Sequence, residues 1–79
     1  MKPLKIKLRS IDYNLNRDRC YEVILSKGLF ASWIVLIGNG RYGGFSHQRI
    51  YSFDNAKEAC YFFDKKIRQK VLKRGYKFI

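Results

Sequence analysis

The residues best suited to chemistry form a glycine-rich segment with one arginine near its centre, Gly38-Asn39-Gly40-Arg41-Tyr42-Gly43-Gly44. A guanidinium can hold a phosphate through two parallel hydrogen bonds. Glycines let a phosphate approach backbone N–H groups closely. The segment therefore predicts a phosphate-binding loop with Arg41 as its leading contact. The alternative is a tight hairpin turn in which Arg41 pairs with a local carboxylate.

A second basic cluster lies near the C-terminus and comprises Lys65, Arg68, Lys70, Lys73 and Arg74. Such side chains attract the phosphate backbone of a nucleic acid without reading its bases. On a helix, Lys65, Arg68 and Gln69 fall opposite the apolar stripe. Lys70 and Arg74 fall nearer to that stripe, so their stems are expected along the sheet edge with the charged heads in water. An ordinary solvated helix face is the alternative.

The charge balance favours a polyanionic partner. Seventeen Lys and Arg against six Asp and Glu give a formal net charge of +11. Self-repulsion of this size opposes compaction, and a polyanion would cancel it. Nucleic acid is the first candidate, followed by another acidic partner and then by a basic surface that binds nothing. The charge is concentrated in residues 1–20 and 54–79, which flank an apolar middle.

Nothing in the sequence indicates an enzyme. His47 is the single histidine, and the six carboxylates show none of the clustering that metal-dependent hydrolysis needs. Cys20 and Cys60 lack the spacing of a zinc site, so we expect no metal, no cofactor and no small-molecule substrate. No stretch has signal-peptide or membrane-spanning character, which predicts a cytoplasmic protein, no membrane partner and two reduced cysteines that fill the core.

Four segments have the composition of β-strands: residues 4–8, 20–26, 29–37 and 46–53. Apolar and basic residues alternate in 4–8, which predicts a strand with one dry and one basic face. The β-branched and aromatic residues of 20–26 and the short apolar run 29–37 predict an antiparallel hairpin around Lys27-Gly28.

After residue 53 the apolar period changes to three and four residues, which is typical of an amphipathic helix. The stripe consists of Ala56, Ala59, Cys60, Phe63, Ile67 and Val71. Asp54 is the predicted N-cap, Gly75 the predicted left-handed C-cap, and 76–79 a short edge strand or packing anchor. This order predicts one α+β domain, an antiparallel sheet of four or five strands with one long C-terminal helix across it.

A set of residues spread over nearly the whole chain has a distinctive order and spacing. It consists of Leu8, Ile11-Asp12, Asn16, Arg19, Tyr21, Leu29-Phe30, Trp33, Gly40-Arg41, Gly43, Phe53, Ala59, Lys70, Lys73, Arg74, Gly75 and Tyr76. In this arrangement the chain resembles the WGR domain family from about residue 8 to its end. The resemblance implies a DNA-contacting surface around Gly40, Arg41 and Gly43, with Lys70, Lys73 and Arg74 as further basic groups.

The chain departs from the family pattern at the signature itself. Asn39 stands where the family has tryptophan, and Tyr42 stands where it usually has isoleucine. In the family that tryptophan can pack against the terminal nucleotide of a DNA break, and an asparagine offers no such surface. Tyr42, next to Arg41, is the residue placed to stack on a base or ribose instead.

The best-known members of the family are poly(ADP-ribose) polymerases, in which this domain accompanies a catalytic domain. Residues 1–79 resemble the short, stand-alone bacterial members instead. The sequence thus predicts a small, non-enzymatic nucleic-acid-binding module that prefers DNA to RNA and makes phosphate contacts with low sequence specificity. The alternative is a protein–protein interaction adaptor that has lost DNA-end recognition. A small effector that acts on a nucleic-acid process is a third possibility.

Overall fold

The computed structural model of the protein describes residues 3–30, 32–41 and 46–79. These residues form five strands and one helix, in the order β1 Leu4–Asp12, β2 Arg17–Lys27, β3 Trp33–Arg41, β4 Ser46–Phe53, α1 Ala56–Arg68, a π-helical turn Gln69–Lys73 and β5 Lys77–Phe78. All neighbouring strands are antiparallel, and their order across the sheet is β4-β3-β2-β1-β5. The predicted α+β class is confirmed.

The sheet has one covered face and one open face. Buried and less buried residues alternate along β2 and β3, as a pleated strand with one dry side requires. Leu8, Val23, Leu25 and Val35 are fully buried beneath the helix, which contributes the buried Ala59. The other face carries an apolar row across three strands, in which Ile24, Leu36 and Ile50 are paired neighbours.

The start of α1 corrects one prediction. Asn55, not Asp54, is the N-cap, and its side-chain oxygen accepts a 2.9 Å hydrogen bond from the Glu58 N–H. Either residue type suits a cap, so only the exact phase of the helix separates them. Cys60 is exposed and does not fill the core as predicted, whereas Phe62 packs against the core instead.

A π-helical turn, Gln69–Lys73, extends α1, and the apolar stripe continues into it at spacings of four residues, from Phe63 to Ile67 and to Val71. In a regular α-helix four residues overshoot a full turn by about 40°. The wider turn of a π-helix, with hydrogen bonds to the fifth residue, removes that excess. Ile67, near the end of α1, and Val71, within the π-helical turn, both pack against the core.

The helix ends at a glycine that reverses the chain. Gly75 has φ +70°, as its predicted C-cap role requires. The Tyr76 N–H donates a 3.0 Å hydrogen bond to the Lys70 carbonyl, and the Tyr76 side chain is buried. The next two residues, β5, pair with β1 at Leu8 and Arg9. The C-terminal segment is thus both a packing anchor and an edge strand.

The middle of the chain differs from the predicted strand and loop. β3 begins at Trp33, whereas Leu29 and Phe30 lie in an exposed turn. It continues through Gly38–Arg41, which had been predicted as a loop. Between β2 and β4, the N–H groups of this strand point at neighbouring strands and not at an open phosphate site. Gly43 and Gly44 lie outside the described residues. In the part of the chain that is described, no helix is long and apolar enough to cross a membrane.

Candidate nucleic-acid interface

A groove with a volume of about 720 Å³ lies between the C-terminal half of the helix and the β3–β4 side of the sheet. Its lining includes five cationic residues: Arg49, Lys66, Lys70, Lys73 and Arg74. The other lining residues are Tyr21, Ile37, Asn39, His47, Tyr51 and Gln69. We call this surface the basic groove.

Strand alternation and register bring the sheet residues into the basic groove. His47, Arg49 and Tyr51 occupy alternate positions of β4, so they share one face of that strand. Across the β3–β4 pairing, Asn39 lies opposite His47, and Ile37 lies opposite Arg49. A one-residue slip of this register would send the whole set to the open face.

Helical spacing brings the other wall together. Lys66, Gln69 and Lys73 line the groove at separations of three and four residues, which is the spacing of side chains on one helix face. Lys70 and Arg74 extend the same face by one further row. The π-helical turn covers three of these positions, so the device that keeps Val71 on the core also sets the direction of the basic side chains.

Aromatic rings hold two of the groove lysines. The Lys70 ammonium lies 4.8 Å from the centre of the Tyr21 ring and 5.4 Å from that of Tyr76. The Lys66 ammonium lies 5.3 Å from the centre of the Phe62 ring. An uncharged ring attracts a cation through its quadrupole and does not neutralise it. These lysines are therefore positioned while their full charge stays available to an anion.

Carboxylates are placed elsewhere. All six acidic residues belong to the described part of the chain, and none lines the basic groove. Three of them pair with cations outside it, in the ion pairs Lys5–Glu22 at 2.7 Å, Arg9–Asp18 at 2.7 Å and Arg68–Asp64 at 2.8 Å. Asp12 accepts hydrogen bonds from the backbone of the β1–β2 turn. The five cations of the groove therefore have no carboxylate beside them.

Two side chains have shifted pKa values, one at the basic groove and one on the open face of the sheet. Burial, reinforced by the neighbouring Tyr51 and Tyr76, raises the pKa of Tyr21 to about 12. Its hydroxyl at the edge of the groove is therefore a protonated hydrogen-bond donor at neutral pH. On the open face, the hydrogen bonds from Arg9, aided by the charges of Arg9 and Arg41, lower the pKa of Asp18.

The structure brings together four of the residues predicted to bind nucleic acid. Asn39 from the signature segment and Lys70, Lys73 and Arg74 from the helix end all line the basic groove. They come from segments about thirty residues apart, so this proximity is a product of the fold. Gly40 is buried within β3 and supports the strand that carries Asn39.

The other predicted residues lie apart from the groove. Lys65 and Arg68 are on the outer side of the helix, where Arg68 pairs with Asp64. Arg41 is exposed at the end of β3 and borders a shallow depression with Arg9 and Asp18. Tyr42 lies outside the described residues.

Arg49, Lys66 and His47 line the basic groove but were not predicted as site residues. Gln69 was predicted to lie opposite the apolar stripe, whereas it also lines the groove. The alternation in 46–53 contained a signal, because His47 and Arg49 share a face with the core residue Tyr51. The position of Gln69 was predicted wrongly because the predicted stripe included Cys60, which is exposed, and omitted Phe62, which packs against the core.

Within residues 3–30, 32–41 and 46–79, no three His, Cys, Asp or Glu side chains come close enough together to hold a metal ion. A comparison with protein families gives a positive result. The model of the WGR domain matches residues 4–78, which is nearly the whole chain. The chain belongs to the WGR domain family.

The basic groove is thus the candidate site of a WGR domain, which is a nucleic-acid-binding type of module. Comparison of this WGR domain with curated proteins and with solved structures returned no significant match. The departure at the signature has a structural consequence. Asn39, at the position of the family's tryptophan, lies in the groove wall opposite His47, so an amide replaces a large ring within the site.

Proposed function

We propose that this WGR domain is a non-enzymatic module that binds DNA, in preference to RNA, through phosphate contacts in the basic groove. The observation that carries the proposal is the exclusion of every carboxylate from a concave surface lined by five Lys and Arg side chains. Phosphate groups are the ligands that such a surface attracts, because their negative charges replace the missing carboxylates. The resemblance to DNA-clamping domains supports the choice of DNA over RNA in this proposal.

The expected binding has low sequence specificity and a strong salt dependence. Lys and Arg contacts to phosphates fix the position of the nucleic acid but carry no base information. Each phosphate neutralised on duplex DNA contributes about −0.9 to the slope of log affinity against log salt. Arg41, exposed at the end of β3, extends the same phosphate-binding role beyond the groove.

Fluorescence anisotropy with labelled DNA at several salt concentrations tests the proposal through two variants of equal charge. Lys70→Gln with Lys73→Gln alters the groove, and Lys57→Gln with Lys65→Gln alters exposed positions of the same helix outside it. Each double variant lowers the net charge from +11 to +9. We expect the groove variant to lose about tenfold in affinity and to shift the salt slope by about 2 units.

The control variant is expected to bind nearly as the wild type does. Equal losses in the two variants would show that net charge alone drives binding, and the groove would then have no special role. A salt-independent affinity, or no affinity for any DNA at low salt, would overturn the proposed function itself.

A protein–protein adaptor is the second candidate, and one observation favours it. Leu29 and Phe30, in the turn between β2 and β3, are 78 % and 98 % exposed, and Phe30 has φ +55°. An exposed aromatic residue in a left-handed conformation is costly unless something uses it. Purification of wild type and Phe30→Ser in high salt tests this role. An acidic protein retained only by the wild type supports it.

A further inference from the structure

Polar side chains in the basic groove are available to more than phosphates. Within residues 3–30, 32–41 and 46–79, the side chains of Asn39, His47 and Gln69 make no hydrogen bond or ion pair. Asn39 and Gln69 are half-buried in opposite walls of the groove. Their polar atoms are not among the buried atoms that lack a partner, so they reach solvent in the groove and are free to bond a ligand.

An amide can bond the edge of a base as well as a phosphate. Each carboxamide combines two N–H donors with a carbonyl acceptor, so it can pair with a base edge that offers both. In a duplex the Watson–Crick edges are already paired, whereas an unpaired base presents them freely. Two free amides beside five cations thus match a ligand that carries phosphates and exposed base edges together.

The β4 wall adds flat surfaces. His47 and Arg49 share the groove face of this edge strand, two residues and therefore about 6.6 Å apart. An imidazole ring and a guanidinium plane both stack on unpaired bases. His47 and Arg49 are exposed. The Tyr51 ring instead packs against the Phe62 ring, with 4.7 Å between the ring centres, and so belongs to the core packing.

The volume of the groove also favours a single-stranded ligand. A volume of about 720 Å³ is that of a site for a small ligand. It suits a short stretch of one strand.

We propose that the basic groove selects unpaired nucleotides over duplex, with His47 and Arg49 stacking on bases, Asn39 and Gln69 pairing with base edges, and Lys70 and Lys73 holding phosphates. This inference rests on the proposed function and adds the strand state of the ligand. The shared chemistry is a single strand, which DNA and RNA can both supply. The replacement of the signature tryptophan by Asn39 then changes the site from an end-stacking surface to one that reads base edges.

Anisotropy at one moderate salt concentration tests the strand preference with three probes. They are oligothymidylate and oligouridylate of about 12 nucleotides, a length within the usual range of single-strand sites, and a DNA duplex of the same length. Because the duplex has the higher charge density, phosphate attraction alone would favour the duplex. We expect the wild type to bind at least one of the two single strands about tenfold more tightly than the duplex.

Three substitutions locate the preference. Asn39→Ala and Gln69→Ala should each weaken single-strand binding about fivefold and leave duplex binding unchanged. Gln48→Ala is the matched control, because Gln48 is an exposed amide on β4 that points to the open face. It should change neither affinity. Circular dichroism of each variant confirms that the fold is intact, and Gln69→Ala on the helix surface remains informative if the β3 variant folds poorly.

The outcomes separate the two proposals. Equal or tighter binding of the duplex, or equal losses of single-strand and duplex binding in Asn39→Ala and Gln69→Ala, would overturn the strand preference and leave phosphate binding in place. No binding of any probe would overturn the proposed function. Preference for oligothymidylate would identify DNA as the source of the strand, and preference for oligouridylate would identify RNA.

Discussion

The two faces of the sheet hold their cations in opposite ways. On the open face, Lys5 and Arg9 pair with Glu22 and Asp18, and the charges cancel. On the helix side, Lys70 lies against aromatic rings, and no carboxylate lines the groove. Both arrangements restrict a long flexible side chain, but only in the second does no opposite charge cancel the charge of the lysine. The groove therefore combines five of the seventeen Lys and Arg residues with none of the six carboxylates.

This difference shows how a small domain can place charge without neutralising it. An ion pair fixes a lysine and cancels its field, which suits a surface that binds nothing charged. A ring fixes a lysine and adds packing area, and the field survives. The Tyr21 and Tyr76 rings meet edge to face at 6.1 Å, so the support under Lys70 is itself part of the core.

The strongest test of the comparison introduces a carboxylate into the groove. Gln69→Glu changes the shape of the side chain very little and adds one negative charge among the groove cations. At an effective dielectric constant of about 20, one charge about 5 Å from a phosphate changes the interaction by about 3 kcal/mol. We expect a loss of affinity on the order of 100-fold at low salt, measured by anisotropy.

Gln48→Glu is the counterpart on the open face. The same chemical change there should lower the affinity less than about threefold, because an exposed charge outside the site is screened by salt. If both variants lose affinity equally, the two faces do not differ in function.

The next test concerns the tyrosine under Lys70. The pKa of Tyr21 is raised to about 12, so the folded state keeps a phenol proton that the unfolded state releases near pH 10. Stability is therefore lost as the pH rises from 10 towards 12, by an amount on the order of 2 kcal/mol. Urea unfolding at intervals over this range should show a steeper loss in the wild type than in Tyr21→Phe. Parallel curves would contradict the raised pKa of Tyr21.

Gly75 tests the reversal that seats Tyr76 beneath the helix. A Cβ at this position meets nothing within 4 Å, so Gly75→Ala adds only the strain of φ +70°. We expect a loss of about 1 kcal/mol in the free energy of unfolding, and a smaller loss for Gly75→Asn, since asparagine tolerates this conformation. Chemical denaturation measures both. A neutral Gly75→Ala would mean that the chain can end the helix in another way.

The smallest expected effect belongs to the open face. The pKa of Asp18 is lowered, chiefly by its hydrogen bonds from Arg9, so the associated stability is present at neutral pH and is lost as the pH falls below about 4. Asp18→Asn should change the melting temperature by a few degrees at most at pH 7, roughly as for exposed ion pairs, and the difference should shrink as the solution is acidified below about pH 4. Persistence of the difference in acid would point to a role other than the ion pair.

Much of the fold could be predicted because it depends on local patterns. The alternation in 46–53 predicted β4 with the bounds that the structure gives, and Gly75 was correctly predicted to end the helical segment. The errors occurred where local patterns were ambiguous. Leu29 and Phe30 continue the apolar run before β3 but lie in a turn, and Asp54 and Asn55 are both competent caps.

By itself the sequence determined the class of fold, the excess of positive charge and the resemblance to a family, because these follow from composition, period and order. Only the tertiary structure decided which cations act together. Arg49 joins Lys70 because the β3–β4 register and the π-helical turn aim both at one groove. Lys65 and Arg68 point away from this groove, although each is next in sequence to a residue that lines it. The reason is that a charged residue on a solvated face has no local signal for direction, and its neighbours are set by how the helix and the sheet pack.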